Sequence, residues 1–122
     1  MKKKILVVDD NLDNRTIIAQ MLKYSGYRTV MASDGHQAIS MTECESPDLI
    51  LMDLSMPVLD GWSATARLKA MTHLAHIPIL AVTGHVIRDD IERAIEAGCS
   101  DYLAKPIDFE TMLLKVESLL AA

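Results

Sequence analysis

Three carboxylates and one ammonium, all placed where apolar runs end, are the groups in this sequence with chemistry to offer. Ile5-Leu6-Val7-Val8 runs into Asp9-Asp10, and Asp48-Leu49-Ile50-Leu51-Met52 runs into Asp53. Ile79-Leu80-Ala81-Val82 ends at Thr83, and Tyr102-Leu103-Ala104 ends at Lys105-Pro106. A carboxylate at the C-terminal end of a buried parallel strand points into the crevice where open α/β sheets do their chemistry. Carboxylates crowded into one crevice repel, and one takes up a proton unless a cation lies among them. A hard divalent ion fits that need. Mg²⁺ prefers oxygen ligands, keeps several waters, and favours one or two carboxylates together with a phosphate. Asp10 and Asp53 are the expected direct ligands, with Asp9 acting through water and the backbone carbonyl of Ser55 as a further oxygen. Asp53 is then placed to accept a phosphoryl group as an aspartyl phosphate. Lys105 would pair with the phosphoryl oxygens as a compact point charge, and the Thr83 hydroxyl would donate to them.

The elements that must carry these groups can be read from periodicity. Lys4 to Val8 is a strand. Asp13 is the expected N-cap of a helix whose Ile17, Ile18, Met21 and Leu22 recur at helical spacing, and Gly26 stops it. Arg28 to Ala32 is a second strand. Ser33-Asp34-Gly35 is a turn, and a helix is expected from His36 to about Glu45, broken by Ser46-Pro47. The third strand ends at Asp53. A turn with Pro57 follows, Asp60-Gly61 supplies turn and capping chemistry, and a helix is expected from Trp62 to about Met71. A strand at 79–82 and a helix from about Ile87 to Ala97 come next, with Gly98 as the C-terminal stop. The fifth strand is 102–104. Asp108 is the expected N-cap of a last helix from about Phe109 to Leu120. Five strands alternating with five helices imply an α/β fold: a doubly wound parallel sheet covered on both faces, with flavodoxin-like order 2-1-3-4-5. That order puts the ends of strands 1, 3, 4 and 5 side by side.

Composition narrows the function classes. The chain has 122 residues, half of them hydrophobic, which predicts one domain over 1–122 with a substantial core. Lys and Arg number 12 against 17 Asp and Glu, for a net charge of -5, so the basic excess of a nucleic-acid or anionic-membrane binder is missing. No apolar run approaches the roughly 18 residues of a membrane span, and the run after Lys2-Lys3-Lys4 is too short for a signal peptide. The expected location is the cytoplasm, where Cys44 and Cys99 are packed thiols and not a disulfide. His36, His73, His76 and His85 make no metal set. Trp62 is expected to pack beside the strand-end groups.

The chain resembles the receiver domains of two-component response regulators, the CheY-like family. The resemblance rests on Ile5-Leu6-Val7-Val8-Asp9-Asp10-Asn11, Pro47 to Asp53, Met56-Pro57 with Asp60-Gly61, Ile79 to Thr83, and Ala97-Gly98-Cys99-Ser100-Asp101-Tyr102-Leu103-Ala104-Lys105-Pro106, in that order. It implies that Asp53 takes a phosphoryl group from a phosphohistidine on a sensor histidine kinase or histidine phosphotransfer protein, with Mg²⁺ held at Asp9, Asp10 and Asp53. It implies that Thr83 is the switch hydroxyl, Tyr102 the switch aromatic and Lys105 the phosphate-binding lysine. It also implies a cis peptide bond before Pro106, and that Ser55 and His85, each two residues past a site residue, tune the phosphoryl lifetime. The surface of the fourth helix, fifth strand and fifth helix would then change shape and regulate a downstream protein. No direct nucleic-acid or membrane contact is expected, and the chain is expected to be a monomer or weak dimer.

The chain ends just after the fifth helix, which resembles the single-domain regulators; the alternative is a receiver segment of a hybrid sensor kinase or multidomain regulator. The enzyme alternative is a Mg²⁺-dependent phosphohydrolase of the haloacid-dehalogenase type. That family needs an acid two residues after its nucleophile, where this chain has Ser55. A flavodoxin-like FMN carrier would need a Ser/Thr/Gly-rich phosphate loop, where this chain has Asp9-Asp10-Asn11. The chain is therefore expected to be a phosphoacceptor and not an enzyme, one that assists its own phosphorylation and dephosphorylation.

Overall fold

The computed structural model describes residues 2–56, 58–84 and 88–121, so expectations placed on Pro57, His85 and Ile87 lie outside the described residues. Among the described residues, strands β1 (Lys4–Val8), β2 (Arg28–Ala32), β3 (Leu49–Asp53), β4 (Ile79–Thr83) and β5 (Asp101–Ala104) alternate with helices. The helices are α1 (Leu12–Tyr24), α2 (Gly35–Glu45), α3 (Gly61–Ala70), α4 (Arg88–Ala97) and α5 (Phe109–Ala121). The sheet is parallel, in the expected order β2-β1-β3-β4-β5.

Side chains on a strand alternate between faces, and here both faces are apolar. Ile5, Val7, Leu49, Leu51, Leu80 and Val82 face α1 and α5, where they meet Ile18, Leu22, Met112 and Val116. Leu6, Val8, Ile50, Met52, Ile79 and Ala81 face the opposite layer and meet Ala38, Ala64, Leu68 and Ala94 of α2, α3 and α4. Every residue of β3 and β4 is buried, whereas Arg28 and Met31 on the edge strand β2 are exposed. No helix among the described residues is long and apolar enough to cross a membrane.

Local signals acted mostly where expected. Gly26 and Gly98 take φ of 97° and 114°, the left-handed conformation that ends a helix without a Cβ penalty. Asp60 caps α3 by accepting the Ser63 N–H at 2.8 Å. Asp108 accepts the Glu110 N–H at 3.2 Å and the Thr111 hydroxyl at 2.8 Å, the expected capping of α5. The Lys105–Pro106 peptide bond is cis, as expected.

Three expectations are corrected. The cap of α1 is Asn11, which accepts the Asn14 N–H at 3.0 Å, and not Asp13. Asp13 lies inside the first turn, where its charge meets the positive end of the helix instead of bonding an orphan donor. Helix α2 starts at Gly35, one residue before His36, because Asp34 is its cap. Both thiols are free, but only Cys99 is packed; Cys44 is exposed on the outer side of α2.

Candidate functional site

Register brings the chemistry together. Val8 pairs with Met52, Asp53 with Val82, and Thr83 with Ala104, so the C-terminal ends of β1, β3, β4 and β5 lie level at one sheet edge. Asp9 and Asp10 leave β1, Asp53 closes β3, Thr83 closes β4, and Lys105 follows β5. Two backbone bonds extend the ladder past the strand ends: the Leu54 N–H donates to Val82 O at 3.0 Å and the Lys105 N–H to Thr83 O at 2.8 Å.

Oxygens of Asp9, Asp10 and Asp53 lie within 4.8 Å of one another, and no other group of three or more His, Cys, Asp or Glu side chains does so among the described residues. Asp9 and Asp53 are each only 2% exposed, while Asp10 is exposed. The Lys105 ammonium reaches both buried carboxylates, at 3.2 Å from Asp53 Oδ2 and 3.7 Å from Asp9 Oδ2. Asp53 Oδ1 accepts the Ser55 N–H at 3.1 Å, and Asp9 Oδ1 accepts the Asn11 N–H at 2.9 Å. Burial raises the Asp53 carboxyl above its usual value; Lys105 and the Ser55 N–H pull it back, and the charge of Asp9 pushes it up again. Lys105 pairs with two of the three clustered acids, and the negative charge there still exceeds the positive. Hard oxygen donors, two of them shielded from water, suit a small divalent cation.

Thr83 is buried at the same edge. Tyr102 is half-buried against the α2–α4 core, with the Lys115 ammonium 4.7 Å from its ring centre and donating to its carbonyl at 2.7 Å. Ser55 is exposed at the rim. Trp62 packs on the core layer at the start of α3, with the Arg93 guanidinium 4.2 Å from its ring centre. His73 and His76 lie far from these groups, lining a pocket of about 150 Å³ beside Asp48 at the start of β3. Beside Asp9 and Lys105 opens a cavity of about 560 Å³ walled by Ile17, Ile18, Pro106, Ile107 and Phe109.

Sequence reasoning missed two supports of this site. Gly61 opens α3 directly against the Asp53 carbonyl, so closely that a Cβ there would overlap that oxygen. Its N–H also donates to Leu54 O at 3.1 Å. Arg15, in the first turn of α1, donates from Nη1 to the Asp9 carbonyl at 2.7 Å. A signal for it existed: a cation so near a helix N-terminus opposes the helix dipole, so some other contact must account for it.

Comparison with known proteins agrees with this geometry. The family model described as the response regulator receiver domain matches residues 5–117. The polar-differentiation response regulator DivK of Brucella anthropi is 35% identical over 120 residues, covering 98% of each chain. The receiver domain of a Pseudomonas aeruginosa sensor histidine kinase, solved with a magnesium ion coordinated in its active site cleft, superposes with a TM-score of 0.92. It is 38% identical, with each chain covered in full. The chemotaxis protein CheY4 of Vibrio cholerae gives a TM-score of 0.93 at 26% identity, covering 98% of this chain and 99% of the other.

Proposed function

The chain belongs to the response regulator receiver domain family, the phosphorylation-dependent switches of two-component signalling, and from that membership we propose that Asp53 is its phosphoacceptor. The observation that carries the reading is Lys105, whose ammonium spans Asp53 and Asp9 at 3.2 and 3.7 Å. It marks the place where phosphoryl oxygens meet a fixed positive charge.

The donor is a phosphohistidine on a sensor histidine kinase or phosphotransfer protein in the cytoplasm. An oxygen of Asp53 forms the new P–O bond while the P–N bond breaks, and the imidazole leaves with its electron pair. Asp10, Asp53 and the Ser55 carbonyl would hold Mg²⁺, and Asp9 would act on it through water. When bound, the ion offsets the carboxylate charge that would repel an incoming phosphoryl group. Lys105 pairs with the phosphoryl oxygens, and Thr83 donates its hydroxyl to one of them. Ser55 and His85 tune how long the acyl phosphate survives water. The chain thus assists its own phosphorylation and dephosphorylation without turning over a separate substrate.

The switch follows from what Thr83 leaves behind. As its side chain moves toward the phosphoryl group, space opens beneath β4 and Tyr102 turns inward from its half-buried position. Two conformations of the α4–β5–α5 face are thereby weighted differently, and a downstream protein that prefers one is regulated. Exposed Ile95 and Leu114, on α4 and α5, give that face apolar ground for a protein partner.

Incubation with acetyl phosphate and Mg²⁺, followed by intact mass measurement, tests the assignment. The wild type gains one phosphoryl group and Asp53→Asn gains none. Gain in both proteins, or in neither, overturns it.

A further inference from the structure

We propose that Arg15 is a positioning residue for the acidic pair, setting the direction of the Asp10 carboxylate through the backbone and thereby the affinity for a divalent cation. The inference rests on the metal-site reading above. Besides its ion pair with Lys105, residue 9 is held by three hydrogen bonds. Its N–H donates to Ala32 O at 3.2 Å, its carboxylate accepts the Asn11 N–H at 2.9 Å, and its carbonyl accepts Arg15 Nη1 at 2.7 Å. The first two bonds hold the amide and side chain of Asp9, and the second also holds the peptide plane that leaves Asp10. Only the third acts on the peptide plane that leads to Asp10.

That plane is rigid. The Asp9 carbonyl oxygen, the Asp10 nitrogen and the Asp10 Cα are coplanar, so fixing the oxygen fixes the direction in which Asp10 departs. Asp10 is exposed and carries one of the three clustered carboxylates, so water could otherwise draw it outward. Arg15 comes from α1, whose own start is fixed by the Asn11 cap and by the Arg15 N–H donating to Asn11 O at 3.0 Å. A charge-assisted bond from a half-buried guanidinium on a helix is a stiff tether for a loop.

The two things Arg15 does to a bound cation have opposite signs, and this makes the role testable. Its positive charge beside the acids repels a cation, so removing the charge alone would tighten binding. Loss of the tether would loosen it. We expect Arg15→Met to bind Mn²⁺ about 10- to 100-fold more weakly, the usual cost of losing support behind a metal ligand. Arg15→Lys, which keeps a charged donor, should stay within a few-fold of wild type. Binding is read from the electron paramagnetic resonance amplitude of free Mn²⁺, with thermal unfolding in metal-free buffer recorded alongside. Arg15→Leu, likewise without a donor, replaces the methionine variant if that one fails to fold. Equal or tighter binding by the neutral variant overturns the proposal. A wild type that binds no Mn²⁺ overturns the metal-site reading instead.

Discussion

Gly61 and the carbonyl of Asp53 are packed so closely that no side chain fits between them. The start of α3 is thus pressed against the end of β3, and the backbone under the Asp53 carboxylate cannot retreat. In Gly61→Ala the new methyl meets backbone on two sides, Asp53 and Leu54, and backbone cannot swing aside as a flexible side chain can. The expected loss is about 1–3 kcal/mol in urea unfolding, the usual cost of overpacking. Acetyl phosphate labelling of the folded fraction should fall as well, because the displaced strand end carries Asp53 with it.

The Asp53 carboxyl is raised by burial, so the folded chain holds that proton more tightly than the unfolded chain does. Where the folded carboxyl is ionised, the fold bears the cost of a buried charge. The cost is relieved as pH falls through the raised value. In metal-free buffer at pH 7, Asp53→Asn should therefore be more stable than wild type, on the order of 1 kcal/mol. The gap should narrow toward pH 4. Added Mg²⁺ should raise the wild-type melting temperature more than that of the variant, since only a folded, charged cluster gains from the ion.

Val58 takes φ of 70° although it is β-branched, and it is 88% exposed. Left-handed backbone is costly for such a residue, and at this exposure no packing offsets the strain. Val58→Asn should stabilise the protein by about 1 kcal/mol, since asparagine tolerates this conformation without the added chain entropy of glycine. Chemical denaturation of the two proteins measures the difference.

The two thiols should separate in reactivity. Cys44 is exposed, whereas Cys99 is buried, lies 3.7 Å from the Thr65 hydroxyl, and has its thiol pushed up by burial. A thiol reagent on the native protein should add once, at Cys44, and a second time only after denaturation. Peptide mapping of the adduct would show it. Rapid double labelling of the native protein would contradict this packing.

How much was legible beforehand follows from what kind of force sets each feature. Element order, parallel pairing and the strand ends were readable, because apolar runs of strand length bounded by Gly, Pro and Asp are local signals with a local cause. The right-handed crossover rule then left few sheet orders, and the observed one was among them. The capping of α1 was misread for an equally local reason: Asn11 and Asp13 are both good caps, and only the path of the chain leaving β1 decides between them.

By itself the sequence determined which residues could do chemistry and which edge of the sheet would gather them, because residue type and strand order suffice for that. Only the tertiary structure decided how they are held. The Lys105 ammonium lies nearer Asp53 than Asp9, Gly61 backs the end of β3, and Arg15 grips the carbonyl between the two acids. Each depends on distances of a few ångströms between groups carried on different elements or on the loops that join them. Periodicity reports faces and ends, whereas such distances are set by how the two packed layers close on the sheet.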